Sequence, residues 1–277
     1  MKFVTLPDGT KVPALGQGTW YMGESSSSAN QEIAALKCGI EQGLTLIDTA
    51  EMYADGGSET VVGKAIKGVR DDLFIVSKVL PYHASFDGTI HACNQSLRRL
   101  QTDYLDLYLL HWPGSTPIEE TIDAMQSLIE QGKIKRWGVS NFDVDDLLDI
   151  ESYVQNKQLI TNQILYNLTR RGVEFDLLPW SRKYQLPTMA YSPIEQGRLL
   201  KHPKLQSFAQ ERNATAAQIA LAWVLRNPDI IAIPKTSSTT HLLDNIKALD
   251  IQLSADDLRY LDSLFEPPTR KRSLEML

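Results

Sequence analysis

A carboxylate, a phenol, an amine and an imidazole recur in this sequence at one kind of place, just after a short apolar run. Asp48 follows Leu46-Ile47, with Tyr53 shortly after; Lys78 follows Val76-Ser77; His111 follows Leu109-Leu110. A charged Lys or Asp at the end of an apolar strand is costly to desolvate unless the two pair, so their joint placement has a physical motive. Taken singly, each has a bland role: Asp48 as a helix cap, Lys78 reaching out to water, His111 as a hydrogen-bonded core residue. Taken with Tyr53, those roles require four coincidences on three neighbouring strands. The set suits protonation of an oxyanion by a phenol. Free tyrosine, with a pKa of about 10, is a weak acid near neutrality, and a close ammonium favours the phenolate and lowers that value. On this reading Asp48 holds Lys78 in place and charged, and His111 orients a carbonyl or shares the proton.

Such a constellation needs elements that bring several strand ends together. Short runs rich in Val, Ile and Leu, at residues 15–18, 44–48, 74–78, 105–111, 136–140, 160–163, 188–192 and 230–234, read as strands. Each is followed by helical spacing, at 29–42, 59–67, 89–100, 118–131, 145–154, 176–184, 216–226 and 241–249. Strand then helix, repeated throughout, is the α/β pattern of a (β/α)8 TIM barrel, whose functional groups gather at the carboxyl ends of the strands. Asp8-Gly9, between Phe3-Val4-Thr5 and Lys11-Val12, predicts an N-terminal β-hairpin before the first barrel strand, placed to plug the barrel floor. The C-terminal tail opens with Ser254 and Asp257 at capping-box spacing and loses pattern after Pro267-Pro268. No linker-like shift interrupts the chain, so residues 1–277 read as a single domain whose tail packs near one end of the barrel.

Composition narrows the function. Lys plus Arg is 28 and Asp plus Glu is 34, a formal charge of −6, with no basic run to track a phosphate backbone, so nucleic acid is not expected as a partner. The longest apolar stretch, Ile219 to Leu225, is far short of the roughly 18 residues of a membrane span, and the amino terminus lacks the apolar core of a signal peptide. A soluble, cytoplasmic protein is expected. Cys38 and Cys93 both fall within helical spacing and read as core residues, and no metal site is expected.

Ordered short motifs then carry a resemblance. Gly16-Gln17-Gly18-Thr19-Trp20 is followed by Asp48-Thr49-Ala50-Glu51-Met52-Tyr53, Ser58-Glu59 and Val62-Gly63. Val76-Ser77-Lys78, Asp106-Leu107-Tyr108, His111-Trp112-Pro113 and Gly138-Val139-Ser140-Asn141-Phe142 come next. Asn162-Gln163, Ala190-Tyr191-Ser192-Pro193 and Ile233-Pro234-Lys235 complete the series. With these motifs the chain resembles the aldo-keto reductase superfamily over nearly its whole length. The resemblance implies a nicotinamide cofactor across the carboxyl end of the barrel and a catalytic tetrad of Asp48, Tyr53, Lys78 and His111, with Tyr53 as proton donor. It implies that Ser140, Asn141 and Gln163 hold the carboxamide and that Tyr191 stacks on the nicotinamide, with Thr19, Asp48, Ser192 and Pro193 in the same cofactor site.

No Gly-x-Gly-x-x-Gly follows a strand and opens a helix, which counts against a Rossmann-type cofactor fold. Lys235 and the hydroxyls of residues 236–240 lie instead where barrels bind phosphate at a helix amino terminus. The resemblance assigns the 2′-phosphate of NADPH to Lys235, Thr236, Ser238 and the residue six beyond the Lys, then to Asp244 and Asn245. That residue is usually Arg and here is His241, which lacks a planar fork, so NADPH is expected with NADH also usable. Trp20, Tyr82 and Trp112, with His111, are the expected substrate wall, suited to small aldehydes or ketoaldehydes. Trp20-Tyr21-Met22-Gly23 and Tyr53-Ala54-Asp55-Gly56-Gly57 look most like bacterial members that reduce methylglyoxal. The expected function is NADPH-dependent reduction of such carbonyls by a monomer. The alternatives are a non-catalytic nicotinamide-sensing subunit of the same fold, marked by a damaged tetrad or an added assembly arm, and an unrelated barrel isomerase.

Overall fold

A computed structural model describes residues 1–151, 153 and 159–277. Strands β1 (Phe3–Thr5) and β2 (Lys11–Pro13) form an antiparallel hairpin whose turn uses Gly9 at φ +87°, a conformation that L side chains rarely adopt. Arg136, just before β7 (Trp137–Ser140), grips Asp8 at 2.5 Å and Thr10 at 2.6 Å, which pins the hairpin across the amino ends of the strands. The other strands are β3 (Gln17–Gly18), β4 (Leu46–Asp48), β5 (Phe74–Val79), β6 (Leu107–Leu110), β8 (Leu159–Leu165), β9 (Thr188–Tyr191) and β10 (Ile230–Ile233). From β3 to β10 they pair in chain order, all parallel. Parallel bridges of Leu15 with Ala232 and Gly18 with Lys235 bring the first and last strands together, giving the nearly closed (β/α)8 barrel. Gly18 permits that approach, because a Cβ there would lie 2.6 Å from the Ile233 carbonyl oxygen.

The helices are α1 (Ala29–Glu41), α2 (Gly57–Ala65), α3 (Phe86–Leu100), α4 (Ile118–Glu130), α5 (Val144–Glu151), α6 (Leu177–Lys183), α7 (Pro203–Gln210), α8 (Ala216–Val224), α9 (Thr239–Ile246) and α10 (Ala255–Leu264). The strands are buried along nearly their whole length because the barrel interior covers one face and the helices the other. The expected end of the fifth helix at Val154 lies outside the described residues. The sequence reading missed α7, although Pro203 at its first turn and Leu205, Phe208 and Ala209 at helical spacing mark it. The capping box of Ser254 with Asp257 is formed and opens α10. Cys93 is buried and Cys38 partly so. No helix among the described residues is long and apolar enough to cross a membrane.

Candidate active site

Asp48 ends β4, Lys78 is the penultimate residue of β5, His111 follows β6, and Tyr53 opens a short tight turn, Tyr53–Gly56, that leads into α2. Lys78 is fully buried, and its Nζ lies 2.8 Å from Asp48 Oδ2, 2.8 Å from the Thr49 carbonyl oxygen and 3.1 Å from Tyr53 Oη. These three acceptors use all three ammonium protons. Since Tyr53 Oη accepts from Lys78, its own proton is left to point elsewhere. Gln163 Nε2 donates to the second Asp48 oxygen at 2.7 Å, so neither carboxylate oxygen is left bare.

The electrostatics correct one expectation. The net shift of the Tyr53 phenol is upward: burial, and then the charge of Asp48, hold it well above the ordinary phenol range and outweigh the acidifying hydrogen bond from Lys78. The ammonium is paired at contact distance with Asp48, so its field at the phenol is largely cancelled, while desolvation of a phenolate is not. Lys78 itself is pushed down by burial and back up by Asp48 and Glu59. Burial and Lys78 together push His111 well below the usual imidazole range, so the ring is neutral. Its Nδ1 is buried without a partner. An orphaned lone pair is cheaper than an orphaned N–H, so we assign the proton to Nε2.

Two adjoining cavities open over these groups. One, of about 210 Å³, is lined by Trp20, Tyr53, His111 and Trp112 together with Ser140, Asn141, Gln163 and Tyr191. The other, of about 580 Å³, runs past Thr19, Asp48, Tyr191, Ser192 and Pro193 to Lys235 and His241, and shares Trp20, Tyr53 and Tyr191 with the first. Tyr191 Oη donates to Asn141 Oδ1 at 2.9 Å, and Asn141 Nδ2 to the His111 carbonyl at 3.1 Å. Left-handed backbone at Tyr21, Ala54, Asp55, Asn141 and Ser192 clusters around this mouth, as strain often does at functional sites.

Other expected residues lie elsewhere. Tyr82 is 83 % exposed and meets Trp112 edge-on outside both cavities, so the structure does not place it in the substrate wall. Thr236 and Asn245 face a small recess beside Gly16 and Gln17 instead of the large cavity. Ser238 Oγ caps α9 by accepting from the His241 N–H, and Asp244 is occupied by Gln218 and Thr215. The sequence reading did not single out Met52, Met276 and Leu277, which line the smaller cavity. Met52 adjoins Tyr53 and was within reach of the motif; the tail carries no periodicity to mark it. Residues 271–277 are brought to the mouth by Lys271, which pairs with Asp143 and Asp176 at 3.3 and 3.1 Å, and by Glu275, which meets Arg170 at 2.6 Å.

The family model described as the aldo/keto reductase family matches residues 14–266, and the chain belongs to that family. It is 50 % identical to methylglyoxal reductase YeaE of Escherichia coli (strain K12), an alignment spanning 100 % of this chain and 99 % of that protein. It is 34 % identical to glyoxal reductase of Bacillus subtilis (strain 168), over 94 % and 92 % of the two chains. A crystal structure of an aldo-keto reductase from Klebsiella pneumoniae in complex with NADPH superposes with a TM-score of 0.96 at 51 % identity, covering 100 % of this chain and 99 % of that one.

A nicotinamide dinucleotide fits the residues present. The larger cavity lies within the roughly 300–1,000 Å³ usual for ligand sites, carries Lys235 at one end, and shares the Tyr191 ring with the smaller cavity where amide and hydroxyl groups converge.

Proposed function

We propose that this chain is an NADPH-dependent reductase of small aldehydes and ketoaldehydes such as methylglyoxal, with Tyr53 as the proton donor. The observation that carries this reading is the triple engagement of Lys78, which leaves the Tyr53 hydroxyl proton free to face the cavity. When bound, NADPH supplies the hydride. In this reading Thr19, Asp48, Ser192 and Pro193, which line the larger cavity, form its groove, Ser140, Asn141 and Gln163 hold the carboxamide, Tyr191 stacks on the ring, and Lys235 and His241 meet the phosphate end. His111 Nε2–H and Tyr53 Oη both address the carbonyl oxygen; Trp20 and Trp112 exclude water from it. Because burial keeps Tyr53 protonated, the acid is loaded before the reaction, and the phenolate left afterwards accepts the Lys78 hydrogen bond, a charge-assisted contact stronger than the one before. Residues 1–277 act as a single domain and a monomer in the cytoplasm.

The test is the loss of cofactor absorbance with methylglyoxal and a panel of aldehydes and ketones. Tyr53→Phe is expected to bind NADPH as the wild type does, read by fluorescence, and to lose most of its turnover. Near-normal turnover in that variant removes Tyr53 from the donor role.

A further inference from the structure

The turn that presents Tyr53 is strained. Ala54 (φ 51°, ψ 41°), Asp55 (φ 50°, ψ 43°) and Gly56 (φ 84°) are consecutive left-handed residues, a conformation that costs a non-glycine residue about 1–2 kcal/mol. Its far end runs straight into α2, whose first residues include Ser58 and Glu59, both fully buried. Ser58 Oγ lies 2.7 Å from Thr19 Oγ1 and 3.0 Å from Thr49 Oγ1, which ties the helix to the tips of β3 and β4. Glu59 reaches the next two elements: Ser77 of β5 donates to Oε1 at 2.5 Å, and Arg99 Nε of α3 donates to Oε2 at 2.6 Å. Arg99 also lies directly over Gly56, where a Cβ would come within 2.4 Å of its Cδ and Nε. Successive strand residues face opposite sides, so Ser77 points into the helix layer while Lys78 points into the barrel.

We infer that Glu59 is a positioning residue for the proton-donating pair: gripped by Ser77 and Arg99, it clamps the turn carrying Tyr53 to the strand carrying Lys78 and sets their 3.1 Å separation. The inference rests on the function proposed above. Burying a carboxylate costs several kcal/mol, so a hydrophobic residue would brace the fold more cheaply; an ionised group here also acts on the charge of Lys78. The groups facing it are Arg99 and Cys93 from α3, Tyr108 from β6, and Lys78 from β5 with Asp48 beyond. Burial pushes the Cys93 thiol up to about 12 and raises Tyr108, so both stay protonated. The Glu59 charge helps to keep Lys78 an ammonium.

Glu59→Gln conserves shape and removes the charge. The expected result is a kcat reduced on the order of 10-fold or more, since small misplacements of reacting groups have large effects. KM for the carbonyl and NADPH affinity stay near wild type, and the alkaline limb of the kcat profile moves to lower pH, because losing a nearby anion lowers the pKa of Lys78. Ser77→Ala removes one hydrogen bond and no charge, so its kcat falls less and its limb does not move. An active wild type whose Glu59→Gln variant keeps kcat and the limb, with only a lower melting temperature, overturns the inference alone. A wild type that reduces no carbonyl sinks the functional reading and this inference with it. Where Glu59→Gln does not fold, Ser77→Ala and Arg99→Lys decide: lowered kcat at unchanged cofactor affinity supports the clamp, and unchanged kcat in both refutes it.

Discussion

Replacing Lys78 by Met separates the stability of the site from its chemistry. Its Nζ stands 2.8 Å from Asp48 Oδ2, and with an effective dielectric near 20 two unit charges at that distance attract by about 6 kcal/mol. Desolvation of both ions offsets most of that, so the intact pair contributes little net stability. Removing one partner is different. Asp48, 2 % exposed, is left as a buried anion with only the Gln163 amide for company, and Lys78→Met is expected to lose about 3–5 kcal/mol of unfolding free energy. Asp48→Asn/Lys78→Met removes both charges and should recover most of the loss in urea denaturation. Turnover should not follow stability. The Lys78 hydrogen bond to the Tyr53 phenolate, at about 1.5–3 kcal/mol for a charged group, corresponds to roughly 10- to 150-fold in kcat, and the double variant lacks it as completely as the single one. A Lys78→Met protein within about 1 kcal/mol of wild type, or a double variant that regains turnover, refutes this account of the pair.

Two further outcomes are expected. His111 has a lowered pKa in the folded chain, so as pH falls through the ordinary imidazole value of about 6.5 the unfolded chain takes up a proton that the native ring refuses. Its contribution is therefore fully present above that pH and lost below it; urea midpoints at about pH 7.5 and 5.5 should drop more for wild type than for His111→Gln, and equal drops contradict the neutral ring. NADPH should be preferred to NADH in kcat/KM, and His241→Arg, which places a planar fork at the end of the groove, should widen the preference; an unchanged ratio shows that residue 241 does not meet the phosphate.

The barrel and the gathering of Asp48, Tyr53, Lys78 and His111 were legible because strand and helix periods alternate without interruption and the polar groups follow the apolar runs directly. What escaped depends on quantities that sequence order does not carry. The direction of the Tyr53 shift is set by how deeply the phenol is buried and then by the Asp48 charge beside it. Tyr82 and Trp112 look alike as aromatics near strand tips, yet one points into water. Ala54 and Asp55 adopt left-handed backbone with only the following Gly56 to hint at it. The hydroxyls of residues 236 and 238 read as phosphate donors, whereas Ser238 spends its side chain on starting a helix.

The segment around Met276 and Leu277 has a separate consequence. It forms part of the wall of the smaller chamber and is held there through ion pairs among partly exposed side chains that are each worth only about 0–1 kcal/mol. The proposed acid–base apparatus is embedded in the innermost layer, and the panel that shapes its antechamber is fastened at the rim. Sieve and engine are thus written in different stretches of chain, and one can be recut without retuning the other.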